Sequence, residues 1–364
     1  MQRSLTQGPI TRNMLLFALP LMCGNLLQQM YNIADTWVVG RFLGADALAA
    51  VGSSYTLMTF LTSIVLGLCM GSGAAISMQY GGGEEARMRQ SVFQSFALIA
   101  GISLAVNLLV YLGLNGILWV LRVPVEIRPL MKQYLVMIFG GIFATFLYNY
   151  FANLLRAIGN SMVPLVFLAV SSILNVVLDL WFIAGMGMGV AGAAVATVIA
   201  QGVSVVLCIL YVMARVRILI PGRKHLDVGR KLYWDLFSQS ISMGLMSSIV
   251  SAGSVILQYG INGLGTLTIA GHTAARKLFA FTDMPLIAMA NAASTFVSQN
   301  YGAGQPERIR KGMREIYLYS LVVMVVTALL MQVSAEWLVR MVYGESEALV
   351  LENGARYLRW ASPF

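Results

Sequence analysis

Nine apolar runs, each long enough to cross a lipid bilayer, follow one another along this chain, and a tenth begins near Gly354. The first six are Met14–Val39, Ala49–Tyr80, Ser91–Leu114, Tyr134–Leu155, Met162–Ala184 and Val190–Ala214. Leu236–Asn262, Leu267–Asn300 and Tyr317–Ala335 follow. A spanning helix needs roughly 20 apolar residues. In lipid, only helices and closed barrels satisfy every backbone polar group, and runs of this length belong to helices. The composition agrees: 58% of the 364 residues are hydrophobic and 11% are charged, against about 25% charged in a soluble domain. Too few polar side chains exist to cover a water-exposed surface. The expected fold is therefore an all-α polytopic membrane protein.

The net charge is +9. In a soluble protein that would suggest nucleic acid, but here the basic residues sit between apolar runs, and no nucleic-acid partner is expected. Arg215, Arg217, Arg223, Lys224, Arg230 and Lys231 follow the sixth run, and Arg308, Arg310, Lys311 and Arg314 follow the eighth. Arg87 and Arg89 follow the second run, and Arg3 and Arg12 precede the first. Loops of the other parity carry fewer, among them Arg41, Arg122, Arg128, Lys132 and Arg340. The excess of Lys and Arg on one side predicts a cytoplasmic N-terminus and cytoplasmic even-numbered loops in the cell membrane. The first run is too long for a signal-peptide core and is not followed by a small-residue cleavage site. Cys23, Cys69 and Cys208 all fall inside apolar runs, with no disulfide or metal spacing.

The chain also repeats itself. Gln79-Tyr80-Gly81-Gly82-Gly83, with Arg87 and Arg89 after it, matches Asn300-Tyr301-Gly302-Ala303-Gly304, with Arg308 and Arg310 after it. The offset from Tyr80 to Tyr301 holds at each matched position. The same offset carries Leu43-Gly44 onto Leu264-Gly265 and Ala49 onto Ala270. Six spans separate the copies, so both halves point the same way, as parallel repeats related by an axis along the membrane normal. The expected organisation is a first lobe at 1–214 with spans one to six, a cytoplasmic basic linker at 215–231, and a second lobe at 232–364. Pro221-Gly222 breaks any helix in the linker. Extending the first lobe by the repeat offset predicts a natural protein of about 435 residues. On that expectation this chain is a twelve-span plan cut within span ten, which inserts but does not transport by itself.

Three carboxylates lie inside apolar runs: Asp35, Asp179 and Asp283. An ionised Asp at the bilayer centre costs about 2.5–3.5 kcal/mol on insertion scales, so such residues face a cavity or a partner. Asn175 and Asp179 are four apart and share one helix face. Thr197 lies in the next, antiparallel span, past the glycine-rich turn Gly185–Gly192, and a tight turn would bring it level with both. Carboxylate, amide and hydroxyl oxygens suit a proton or a small hard cation. Pro20 inside span one removes a backbone bond and marks either a hinge or a static kink. Arg276, Lys277 and Asp283 sit in span eight, where they either line a second-lobe cavity or snorkel to the surface. The 22 methionines fit an adaptable apolar cavity as well as ordinary core filling. No metal, nucleotide or nucleophile motif is present, so no enzyme activity and no cofactor are expected.

These residues resemble a known family. Pro20-Leu-Met-Cys-Gly-Asn25, then Gln28-Gln29-Met-Tyr31-Asn32-Ile-Ala-Asp35, Gly40-Arg41 and Leu43-Gly44, is similar to span one of the multidrug and toxic compound extrusion (MATE) family. Asn153-Leu-Leu-Arg156-Ala-Ile-Gly159-Asn160, Asn175-Val-Val-Leu-Asp179, Gly189-Val-Ala-Gly192 and Gln299-Asn300-Tyr301-Gly302 resemble its later spans. The resemblance covers the whole chain. It implies two six-helix lobes and antiport: export of small organic, cationic or amphipathic compounds in exchange for H⁺ or Na⁺. It implies ion coupling, and Na⁺ ligation if sodium is used, by Asp35, Asn175, Asp179 and Thr197, with bending at Pro20. Tyr31, Asn149, Asn153, Arg276 and Asp283 are candidates for the cavity lining. Some relatives carry a carboxylate in span seven, but Leu236–Asn262 has none, which argues against a second-lobe site built there. The expected partners are a small organic substrate and the lipid bilayer, with the protein a monomer. The alternative is a lipid-linked oligosaccharide flippase of the same superfamily, which would need a more cationic cavity.

Overall fold

The computed structural model describes residues 4–120, 123, 125–226, 229–262, 266–343 and 348–362. Arg3, Arg122, Leu264, Gly265 and Phe364 lie outside the described residues, as does the side chain of Lys277. The described chain is helical and multi-pass. In order the long elements are α1 (Ile10–Leu43), α2 (Ala45–Gly81), α3 (Glu85–Val120), α4 (Arg128–Gly140), α5 (Ile142–Ala157) and α6 (Met162–Asp179). Then come a π-helical turn (Leu180–Gly185), α7 (Val190–Arg215), α8 (Arg230–Asn262), α9 (Thr266–Gly302), α10 (Pro306–Tyr343) and α11 (Ala348–Ala361). Short 3₁₀ turns at Arg217–Leu219 and Arg223–His225 flank Pro221-Gly222 in the linker.

Span four is broken. α4 and α5 meet at a 48° bend. The residue at the break is Gly141, and a Cβ there would lie 2.2 Å from Cγ2 of Val198. Only a glycine lets α7 pass this close.

Among the described residues, six helices are long and apolar enough to cross a membrane, and the bent pair makes a seventh. The sequence reading counted nine full spans. The two others, α8 and α9, have 33 and 37 residues. At a rise of about 1.5 Å per residue that is ample to cross, but they are less apolar. α8 carries seven serines between Ser238 and Ser254. Ser248 and Ser254 bond carbonyls of their own helix, at Gly244 and Val250, so their polarity needs no water. Small side chains of this kind also let membrane helices approach closely.

The repeat extends to the helix ends. Shifting the bounds of α1, α2, α3 and α4 by the offset from Tyr80 to Tyr301 gives 231–264, 266–302, 306–341 and 349–361. The observed bounds of α8 to α11 differ from these by two residues at most. Outward faces match as well: Leu112 of α3 is 78% exposed, and Val333, its repeat counterpart in α10, is 86% exposed. An apolar side chain so exposed at matching positions faces lipid in both halves.

The halves meet along α2, α8 and α9. Cβ atoms added at Gly67 and Gly71 of α2 would fall 2.6 Å from Met243 O and 2.5 Å from Gln239 O of α8. At the helix ends the contact is symmetric. A Cβ on Gly81 would lie 1.9 Å from Gln299 O, and one on Gly302 would lie 1.8 Å from Met78 O. The repeat offset relates both pairs, as a two-fold axis through the seam requires. A shared core of Ile10, Met14, Phe17 and Leu21 from α1 with Ala288, Ala292 and Phe296 from α9 closes the same end. Contacts of α2 with the second half include the Ser63 hydroxyl, which accepts from Ser251, and continue to Gly81 at its C-terminal end. The halves therefore join at the end that carries the basic loops.

Candidate functional site

Three helices of the first half, α1, α6 and α7, bring the expected residues together. Asp35 of α1 is 9% exposed, Asn175 and Asp179 of α6 are 1% and 0% exposed, and Thr197 of α7 is 6% exposed. Immediately after Asp179 the α-helix widens into the π-helical turn Leu180–Gly185. Single π turns are frequent at functional sites. The chain then reverses through Gly187 and Gly189, both in the left-handed region at φ 66° and 63°, which glycine adopts without strain. That reversal brings Thr197 of α7 alongside Asn175. Ala193, Ala194 and Ala196, each 0% exposed, keep α7 slim enough to pack against Val38, Val39 and Tyr134.

Thr197 Oγ1 donates to Ala193 O at 3.0 Å. Its hydroxyl proton is thereby committed, so the Tyr31 hydroxyl, 3.3 Å away, is the donor of that pair. The Asn175 amide sits within 3.3 Å of the same Thr197 oxygen. In the orientation that satisfies both of its ends, Asn175 donates to Asp179 Oδ2 at 2.9 Å and accepts from the Thr197 backbone N–H at 3.2 Å. The Asp35 and Asp179 carboxyl groups are close enough for the charge of one to act on the other. One oxygen of each, Oδ1, is buried with no hydrogen-bond partner. Two carboxyl groups this close, in a region of low dielectric, repel unless a positive charge sits between them. A proton or cation placed at the orphaned oxygens would relieve that repulsion.

The donor set is all oxygen: two carboxylates, an amide and a hydroxyl. Among the described residues no group of three or more His, Cys, Asp and Glu could hold a metal. The constellation fits a proton directly. A bound hard cation would draw further oxygens from the Asn175 amide, the Thr197 hydroxyl and water.

The other candidates fall differently. Tyr31 joins the carboxylate network. Asn149 and Asn153 spend their amides on carbonyls of their own helix, at Thr145 (2.8 Å) and Asn149 (2.9 Å). Arg276 and Asp283 are exposed on α9, and among the described residues no ion pair joins them. α1 continues as one helix through Pro20. A cavity of about 220 Å³ lies at the basic end, lined by Ser4, Thr6, Gln79, Tyr80, Glu85 and neighbours, remote in sequence from the carboxylates. Sequence reasoning passed over Tyr134, buried beside Val38, Val39 and Ala193. It shares its apolar run with Tyr148 and Tyr150, and only the packing of α4 on α1 and α7 gives it a place in the site. The π turn carried no sequence signal beyond the glycines that follow it.

The MatE family model matches residues 20–181 and 243–364. The chain belongs to this family. In it, the chain is 29% identical over 363 residues to the probable multidrug resistance protein YpnP of Bacillus subtilis, covering 99% of this chain and 80% of the relative. It is 25% identical over 301 residues to the multidrug export protein MepA of Staphylococcus aureus, covering 82% of this chain and 66% of the relative. In fold it is similar to a multidrug resistance MATE family transporter solved in an outward-facing conformation. That match has a TM-score of 0.89 and 21% identity, and it covers 99% of this chain and 80% of the other. A second MATE structure, in a bent conformation, matches with a TM-score of 0.87 at 21% identity, covering 98% of this chain and 81% of the other. Membership in MatE makes this a multi-pass membrane transporter rather than an enzyme.

Proposed function

We propose that this chain works as a secondary antiporter of the cell membrane that exports small organic compounds, cationic or amphipathic, in exchange for H⁺ or Na⁺. The observation that carries the reading is the buried Asp35–Asp179 pair, with an unpartnered oxygen on each carboxyl. A coupling ion held there neutralises the pair, and its departure restores the repulsion. Either event changes how α1, α6 and α7 pack, and the two lobes rock in response. The multidrug names of the relatives support the substrate class. The proton is the favoured ion, because two orphaned oxygens suffice for a proton while a hard metal cation gathers about six oxygens or more. The excess of Lys and Arg in the loops supports a cytoplasmic side for the N-terminus and for the seam between the lobes, and the reading takes the protein as a monomer. The flippase alternative is disfavoured: the carboxylate cluster attracts cations, not a pyrophosphate.

The test is transport in vesicles containing the full-length protein, with proton and sodium gradients imposed separately and a fluorescent organic cation as cargo. Uptake driven by the proton gradient alone is the expected result. Uptake driven by sodium alone would move the coupling to Na⁺, and uptake indifferent to both would defeat the antiport reading.

A further inference from the structure

The repeat symmetry accounts for the seam between α2 and α9, but one feature at the basic end breaks it. The segment Ser4–Pro9, ahead of α1, belongs to the first lobe by chain connection. Its main chain is held by side chains of the second. Leu5, 1% exposed, donates its N–H to Gln299 Oε1 at 3.0 Å. Its carbonyl accepts from Asn300 Nδ2 at 3.3 Å and from Arg308 Nε and Nη2 at 3.4 and 3.2 Å. Arg308 Nη2 also donates to Gln7 O at 3.2 Å, and its guanidinium lies over the Phe296 ring at 5.8 Å. Gln299 closes the circuit by donating to Ala157 O at 2.8 Å, at the end of α5. Gln299 and Asn300 are both 0% exposed.

Among the described residues nothing equivalent stands on the other side of the axis. The counterparts of Gln299 and Asn300 are Met78 and Gln79, and Gln79 Oε1 is buried without a partner. The counterpart of Arg308 is Arg87, which pairs with its own neighbour Glu84 at 3.3 Å while half exposed. The linker's counterpart of Leu5 is Leu226, which is exposed. One buried glutamine thus reads two main-chain groups of the opposite lobe. One arginine holds two carbonyls there. Helix packing alone requires neither.

We infer that Gln299, Asn300 and Arg308 form a latch on the N-terminal segment. The latch holds the basic ends of the two lobes together, and it must release before the central cavity can open to that side. The three are positioning residues: they touch no substrate and set how often the seam parts. The inference rests on the rocking of lobes proposed above, but it can fail independently of that reading, because opening is measured without any cargo.

The latch acceptors are main-chain atoms, so the donors are the ones to change. In a full-length protein freed of Cys23, Cys69 and Cys208, Ser77→Cys places a thiol in the seam, where the serine hydroxyl donates to Thr295 O at 3.3 Å. Its labelling rate from the basic face of the membrane reports opening. Arg308→Ala is expected to raise that rate about tenfold, the effect of losing charge-assisted bonds to two carbonyls. Arg308→Lys keeps one charged donor and should give an intermediate rate. Arg310→Ala removes only a pair with Glu307 in which both side chains are about four-fifths exposed, and should leave the rate unchanged. If Arg308→Ala does not yield monodisperse protein, Arg308→Lys alone decides, with at least a twofold rise expected. A rate within twofold of the parent in well-folded Arg308→Ala overturns the latch, as does an equal rise in Arg310→Ala. Loss of gradient-driven export in the parent, with the labelling pattern intact, would defeat the antiport reading and leave the latch standing.

Discussion

Residue by residue, the site rests on an imbalance. Asp35 and Asp179 bring two acidic groups together, while Asn175 supplies one good donor, to Asp179 Oδ2. Each Oδ1 is left over. Two like charges buried side by side cost stability, and making one of the groups neutral relieves their repulsion. Asp35→Asn gives the site an amide that can donate to Asp179. Its expected outcome is a melting temperature equal to the parent's or a few degrees higher in detergent, with gradient-driven export abolished. Asp179→Asn should abolish export in the same way. A melting temperature well below the parent's would show that the ionised pair stabilises the lobe instead. Thr197→Val removes a neutral hydroxyl that accepts from Tyr31 and donates to Ala193 O. Its loss should slow transport by about 2- to 12-fold, the range that a net hydrogen bond of about 0.5–1.5 kcal/mol sets. Asp283→Asn, on an exposed stretch of α9, should be milder than either change at the pair. The residue types were legible in the sequence, because a carboxylate in a long apolar run has few reasons to be there. Their partners were legible only where periodicity places them, as with Asn175 and Asp179 four apart. Tyr134 was not, since its proximity to the pair depends on how α4 packs.

Between helices, the informative features are glycines at crossings. Gly81 and Gly302 each stand where a Cβ would lie 1.9 and 1.8 Å from a carbonyl oxygen of the opposite half. In the sequence Gly81-Gly82-Gly83 reads as a turn, and that is correct for Gly83, whose φ is 72°. Gly81 has a different role, and no pattern in the sequence distinguishes a glycine kept for its turn from one kept for a neighbouring helix. The structure separates them, and so can mutation. Gly302→Ala must push α9 away from α2, since the obstruction is backbone and cannot rotate aside. The expected cost is about 1–3 kcal/mol, the usual range for overpacking, seen as a lower melting temperature. Gly83→Asn, in open space and with a residue that tolerates the left-handed region, should cost well under half as much. Equal costs at the two positions would mean that the crossing is not as tight as the contact implies. Helix count shows the limit of reading by hydropathy: the serines of α8 and the polar stretch of α9 lower their apolarity because these helices face the other lobe as well as lipid.

Across both lobes, the repeat offset, visible in a handful of matched positions such as Tyr80 and Tyr301, accounts for the bounds of four helices. It also accounts for the lipid-facing sides of α3 and α10 and the paired contacts at the seam. The latch lay beyond its reach, since an N-terminal segment docked on the opposite lobe has no counterpart in the repeat. Orientation in the membrane follows from charge alone. The linker, the start of α10 and the start of α3 hold clusters of Lys and Arg, and all of them lie at the end where the lobes touch. If the Lys and Arg excess faces the cytoplasm, the seam is on the cytoplasmic side, and the Asp46 end of α2 faces out. Both Asp46 and Lys224 are exposed, so single cysteines at these positions report sidedness without disturbing the core. Cys23 is exposed and must be replaced, while Cys69 and Cys208 are buried. In intact cells expressing the full-length protein, an impermeant thiol reagent should label Asp46→Cys within minutes. Lys224→Cys should react only after the membrane is permeabilised. The reverse pattern would invert the protein, placing the closed seam and the N-terminal latch outside. The export direction proposed from the carboxylate pair would then have to be rebuilt from the opposite face.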